Sequence, residues 1–446
     1  MQRSSIRTPD LLCYAGLSAP LSMLMLQLIV YLPPFYAGEI GIPLAQVGFV
    51  FFLARAWDAV IDPFIGNLSD QTRTRWGRRK PWLAFGIPLL MISTYAFAQP
   101  PKGVGVAYLL GTAFVFYIGL AAVQIPYMSW GSELSRDYAE RTRIGTFREG
   151  ALMVGIVLAT SMPLILLSGS NPSMRAILHI FVMTTLVLLP LTGLVALIFA
   201  PVAPFTDTGR HGFIEALSLL KRNGPLLRML SGVLLFWLGG SMWNAMVLFM
   251  VAHRLGLPMT AFLWCVFLQY IVSILCLPLS AKLANRIGRH RALSLGGVAF
   301  FACLPLFMLV PHGQFGPTLL VFLLAGVVSN VIWVMPPALI SDTVEYGMFK
   351  GAGDDAAIYM ALYMFVQKLA MAIGVGLALP LAAALGLDLA TPDSAASIRA
   401  IDWVGLILPG CAAIAGAIVL WNYPITRERH AVLQKWLLRR AERALP

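Results

Sequence analysis

Apolar residues run along the chain in long blocks, separated by short segments rich in Arg, Lys, Pro and Gly. The blocks fall at about 11–37, 43–70, 82–100, 104–134, 144–169, 175–200, 225–252, 258–283, 291–311, 316–343, 357–386 and 401–425. As a helix, each is long enough to cross roughly 30 Å of hydrocarbon. A helix also satisfies its own backbone hydrogen bonds where lipid supplies none. The pattern therefore predicts an all-α integral membrane protein with twelve spanning helices.

The clearest interruption is "PVAPFTDTGRHGFIEALSLLKRNG" at 201–224, a polar stretch with Pro and Gly. It divides the chain into an N-terminal bundle (1–200), a linker (201–224) and a C-terminal bundle (225–425), each bundle with six spans. The halves echo each other. "GNLSDQTRTRWGRRK" after the second span resembles "AKLANRIGRHRA" after the eighth. "WGSELSRDY" at the end of the fourth resembles "LISDTVEYG" at the end of the tenth, which sets Glu133 against Asp342, 209 positions on. Such repeats mark carriers whose halves rock about a site near the membrane midplane. The tail, 426–446, interleaves Val432, Leu433, Trp436 and Leu437 with Arg and Lys at helical spacing, which predicts a basic amphipathic helix on the inner membrane face.

Charge refines the picture. Only 12% of residues are charged, against about 25% in soluble domains. The net charge of +12 would suit nucleic acid, but its placement excludes that partner. With the N-terminus inside, inner segments hold 25 of the 32 Lys and Arg, and the outer loops hold four: Lys102, Arg175, Arg254 and Arg399. This bias predicts a multi-pass plasma-membrane protein, in a bacterial inner membrane, with both termini cytoplasmic and a basic face toward anionic lipid. The first span, preceded by Arg3 and Arg7, is too long for a signal peptide and reads as a retained helix. The five cysteines show no paired or zinc-type spacing. No phosphate loop, zinc motif or nucleophile triad appears, so no enzymatic activity is expected.

The chemistry concentrates in "RAWDAVIDPFIGNLSDQTRTRWGRRKPW", Arg55 to Trp82. Asp58 and Asp62 share one helix face, about 6 Å apart along the axis. Ionisable groups at membrane depth cost about 2.5–3.5 kcal/mol each and face a cavity or a partner. Two carboxylates on one face suit Na⁺, a hard ion that takes oxygen ligands. They can equally share a proton, or Asp58 can be neutralised by Arg55 one turn before it. Pro63 removes a backbone donor beside them. The following run, with Gly66, Asp70, Arg73, Arg75, Gly77 and Arg78, reads as a cytoplasmic anchoring and gating motif, with Glu133 and Asp342 at the matching helix ends. Arg148 and Lys368 are further charges inside spans.

These residues resemble a known signature. "WDAVIDPFIG" with "SDQTRTRWGRRKPW", "QIPYMSW" (124–130), "ERTRIGTFREG" (140–150), "IWVMPPALISDTVEYGMFK" (332–350) and "YMFVQKLA" (363–370) are similar to the glycoside–pentoside–hexuronide:cation symporters of the major facilitator superfamily. The resemblance covers essentially the whole chain. It implies the major facilitator fold, Asp58 and Asp62 as ligands of a coupling Na⁺ or H⁺, and a central cavity lined by Arg148, Lys368 and Trp333. It implies no other cofactor, and a monomer is expected. The chain departs from the melibiose carriers at three aligned positions. Ser22 and Gln124 stand where those carriers have Asp, and Met128 where they have an aromatic residue. Gln124 can still offer a carbonyl oxygen to a cation or a hydroxyl. The expectation is import of a sugar or glycoside-like solute through a cavity more tolerant of an anion, with Ser22, Gln124, Met128, Arg148, Trp333 and Lys368 around it. The alternatives are the same fold carrying a lysolipid or other amphipathic anion, and a membrane receptor that does not transport.

Overall fold

The computed structural model describes residues 6–135, 138–167, 173–201, 223–349 and 356–425. The predicted tail helix and most of the linker lie outside these residues. Among the described residues the chain forms α1 (Thr8–Gly38), α2 (Leu44–Gln71), α3 (Lys80–Ala98), α4 (Val106–Glu133), α5 (Tyr138–Leu166) and α6 (Met174–Phe199). After the linker come α7 (Gly224–Arg254), α8 (Met259–Ile287), α9 (Arg289–Leu309), α10 (Phe315–Phe349), α11 (Ala356–Ala384) and α12 (Ala395–Trp421). Eleven are single helices apolar enough to span a membrane, and α8 is a pair bent by 49° at Cys276. Pro278 explains the bend: it has no N–H to give the Ile274 carbonyl. The Asn330 amide on α10 holds the bent turn by donating to the Ser273 carbonyl at 3.0 Å.

Two helices outrun their apolar blocks. α5 begins six residues before its block, because Arg143 is anchored to α1 instead of being left to solvent. It donates to the Ile6 carbonyl (2.9 Å) and the Thr8 hydroxyl (2.7 Å). α10 continues to Phe349, carrying Asp342 at its polar end.

The repeat reappears in three dimensions. Gly77 (φ 86°) turns the chain between α2 and α3, and Gly288 (φ 92°) does so between α8 and α9. A left-handed φ of this kind is cheap only for glycine. Beside each turn, a basic residue at the start of one helix grips an acid at the end of another. Arg78 and Arg79 bind Glu133 at 3.0 and 2.5 Å. Arg289 binds Asp342 at 2.5 Å. Arg79 also reaches Asp70 (2.5 Å) and donates to the Ser69 hydroxyl (2.6 Å), so it ties α2, α3 and α4 together. Within the basic run, Arg78 and Arg79 make the inter-helix ion pairs; Arg73 and Arg75 stay exposed, Arg75 lying over the ring of Trp76.

Among the described residues the two halves meet chiefly where α1 packs on α7, α2 on α11, and α5 on α8. Exchanging the halves converts the second pair into the third, as pseudo-twofold symmetry requires. Close approach along α2 and α11 depends on glycine: a Cβ on Gly48 would lie 2.7 Å from the Pro380 ring, and one on Gly376 would lie 2.6 Å from Phe52 Cβ. Both contacts lie toward the end of α2 remote from the basic turns. Gly376→Val should overpack this seam at a cost of about 1–3 kcal/mol. The expected result is a lower Tm in detergent, and an unchanged Tm would show that the helices can separate there freely.

Candidate functional site

α2 buries Asp58 completely and leaves Asp62, one turn on, at the edge of the half-to-half seam. Across that seam α11 delivers Lys368. Its ammonium lies 2.9 Å from Asp58 Oδ2 and forms a still shorter ion pair with Asp62 Oδ2. Arg55 approaches Asp58 Oδ2 from its own helix at 3.5 Å, with its guanidinium 5.3 Å from the centre of the Tyr117 ring on α4. Of the sequence readings of Asp58 the structure shows the contact with Arg55, and the inter-helix contact with Lys368 is the tighter.

The cluster is neither open nor sealed. The side chains of Asp62 and Lys368 keep 17% and 16% of their exposure. Asp58 Oδ1 and Asp62 Oδ1 have no hydrogen-bond donor. The Ala59 carbonyl between them lacks its usual helical donor, because residue 63 is proline. Unsatisfied oxygens at this depth are costly, and they suit a small cation or a proton. Among the described residues no set of three or more His, Cys, Asp or Glu side chains converges on one point. Two carboxylates with free oxygens on one helix face could take up a singly charged ion.

The other predicted residues separate. Ser22 does not face a cavity. It is buried in the α1–α5 seam, where its hydroxyl is within 2.8 Å of both the Leu152 and Ala19 carbonyls. Gly155 of α5 sits against it so closely that any Cβ would collide with the Ala19 backbone. Gln124 and Met128 are half-buried on α4, which packs along α2, but Gln124 makes no hydrogen bond to Asp58 or Asp62. Arg148 does not reach the carboxylate pair; its Nη2 donates to Glu149 Oε1 at 2.8 Å. Trp333 is 54% exposed on α10 and meets Trp237 of α7 edge-on, ring centres 4.6 Å apart. Gly66 packs near Ile125 of α4 with room for a Cβ.

Sequence reasoning passed over Glu149. An acid beside Arg148, ten residues into a spanning helix, was the available signal. Arg148 and Glu149 form an ion pair of their own on α5, apart from the Arg55–Asp58–Asp62–Lys368 cluster.

The MFS/sugar transport protein family matches residues 13–427. The chain belongs to this family. It is 28% identical to the isoprimeverose transporter of Lactiplantibacillus pentosus, over 86% of this chain and 83% of that relative. It is 26% identical to a glucuronide carrier protein homolog of Escherichia coli K12, over 90% and 89% of the two chains. The fold matches the crystal structure of the nucleoside transporter NupG with a TM-score of 0.68, at 13% identity, over 94% of this chain and all of that one. The protein is a multi-pass membrane transporter of the major facilitator type that moves a small molecule, and not an enzyme.

Proposed function

We propose that this transporter is a glycoside–pentoside–hexuronide:cation symporter, using an inward gradient of Na⁺ or H⁺ to import a sugar or glycoside-like solute. The single observation that supports it most is the ion pairing of Lys368 on α11 with Asp58 and Asp62 on α2. In the absence of a coupling ion the ammonium offsets the charge of the carboxylates, while Asp58 Oδ1 and Asp62 Oδ1 stay without a donor. Arrival of Na⁺ or H⁺ neutralises the pair in its place and frees the Lys368 side chain toward the solute. Each ligand then raises the affinity of the other, because both favour the same displaced lysine.

Rocking of the halves, 1–200 and 225–425, exposes the site alternately. The positive-inside bias puts the basic turns and both termini in the cytoplasm of a bacterial inner membrane. There the Arg78–Arg79–Glu133 and Arg289–Asp342 clusters keep each half rigid while the halves move. Arg148, Trp333, Gln124 and Met128 line the solute path.

Uptake into membrane vesicles tests the reading. An imposed Na⁺ or H⁺ gradient should drive solute accumulation in the wild type. The double variant Asp58→Asn, Asp62→Asn should carry solute only down its own gradient. Accumulation that stayed fully gradient-dependent in that variant would refute the assignment.

A further inference from the structure

Arg55 is a charge in the seam that the ion-coupling scheme leaves unused. It is buried in α2, its Nη2 has no hydrogen-bond acceptor, and its Nη1 stands 3.5 Å from Asp58 Oδ2, too far for a good hydrogen bond. A charge taken out of water and paired this loosely is costly. An aromatic face offsets part of that cost. The guanidinium carbon lies 5.3 Å from the centre of the Tyr117 ring on α4, within the range of a cation–π contact. Arg55 also borders a small space between the halves, but its other walls are largely apolar, among them Leu28, Met371 and Val375. The one hydroxyl there, that of Ser241, donates to the Trp237 carbonyl at 2.8 Å.

Tyr117 is fully buried, and its hydroxyl has no hydrogen-bond partner to fix the ring. Helix packing fixes it instead. One turn before it on α4, Phe114 stacks on Trp57 of α2, with ring centres 5.2 Å apart and planes 7° from parallel. Arg55 and Trp57 of α2 thus meet Tyr117 and Phe114 of α4 in one strip. The strip holds the Tyr117 ring beside Arg55 whatever occupies Asp58.

Charge makes this contact matter. Arg55 and Lys368 balance Asp58 and Asp62 before an ion arrives. A singly charged cation or a proton on the acids leaves one positive charge in excess, and both basic side chains lose their hold. Lys368 keeps part of its exposure to water, whereas Arg55 is buried. Among the described residues, the ring of Tyr117 is then the group that can bear it. The negative face of an aromatic ring attracts a cation most where water is excluded.

We infer that Tyr117 is a positioning residue for ion coupling: it carries Arg55 when the coupling ion takes Asp58, and so sets the affinity of that ion. This rests on the cation-coupled reading above and adds to it a residue that touches neither ion nor solute.

The test measures ion affinity on the purified full chain, with Na⁺ titrated by calorimetry and H⁺ uptake followed in weakly buffered solution. Tyr117→Leu, which removes the aromatic face, should weaken binding of the coupling ion by about tenfold, equivalent to about 1.4 kcal/mol. Tyr117→Phe, which keeps the face, should hold affinity within about threefold of the wild type. In an Arg55→Gln background Tyr117→Leu should change affinity by less than about twofold, which a merely structural role would not produce. Should Tyr117→Leu fail to fold, Tyr117→Met fills the space with a flexible side chain, and the same loss is expected. Wild-type affinity in Tyr117→Leu or Tyr117→Met overturns this inference alone. So does a Tyr117→Phe variant as weak as Tyr117→Leu, or a loss that persists with Arg55→Gln. A wild type that binds neither ion overturns the cation-coupled reading and this inference with it.

Discussion

Lys368→Ala is expected to abolish gradient-driven accumulation of solute, with a fall of at least a hundredfold, while exchange of internal for external solute persists. The two halves of this result have one origin. With Lys368 removed, Asp58 and Asp62 keep only Arg55, at 3.5 Å from one of them. The site then carries an excess negative charge whenever the coupling ion leaves. Opposite unit charges about 4 Å apart interact by about 4 kcal/mol at an effective dielectric constant near 20. The carrier without its ion therefore cannot close and return. A carrier that keeps its ion can still shuttle solute both ways, so exchange survives. The same change removes the competitor for the seat, and cation affinity should rise by tenfold or more, about 1.4 kcal/mol. Accumulation assays, counterflow and cation titration on one preparation separate these effects. Unchanged accumulation would mean that Lys368 is merely an ion-pair partner.

The second large effect separates the two acids. Asp58 is fully buried between Lys368 and Arg55, so Asp58→Asn leaves two cations facing the single remaining carboxylate. Breaking a buried pair costs about 3–5 kcal/mol, and a marked fall in Tm should accompany loss of coupling. Asp62 lies at the accessible edge. Asp62→Asn should keep Tm much closer to the wild-type value while eliminating cation-dependent stabilisation. In the wild type that stabilisation should reach about 2.7 kcal/mol at a hundred times Kd. Thermal unfolding with and without the ion checks both variants. Equal Tm values for the two would contradict the burial difference on which the distinction rests.

What was legible in the sequence follows from the cost of charge in lipid. The twelve spans, the acid pair and Lys368 stand out because hydrocarbon tolerates so few polar groups. The need of Lys368 for a counter-charge was readable, and the fold brings Asp58 and Asp62 to it from the other half of the chain, 306 positions from Asp62. The echo of Glu133 in Asp342 was readable because both acids end a span, and their arginine partners follow glycine-bearing turns.

Three features were hidden for separate reasons. Ser22 aligns with a solute-gripping acid, but a small hydroxyl beside Gly155 is better used where α1 and α5 approach closely. Glu149 escaped notice because consecutive helix residues normally point apart; the length of the arginine side chain closes the gap. The early start of α5 was masked by Arg143, whose charge breaks the apolar pattern but is paired with the start of α1. For Ser22 and Arg143 the deciding partner lies beyond their own helix, which periodicity within one helix cannot reveal.

Stoichiometric cation binding to the purified protein addresses the central claim most directly. Na⁺ is titrated by calorimetry, and H⁺ uptake is followed in weakly buffered solution, for the wild type, Asp62→Asn and Lys368→Ala. The account predicts one ion per wild-type molecule, none for Asp62→Asn, and tighter binding of one ion to Lys368→Ala. Saturable one-to-one binding that survived in Asp62→Asn, or weaker binding in Lys368→Ala, would contradict it.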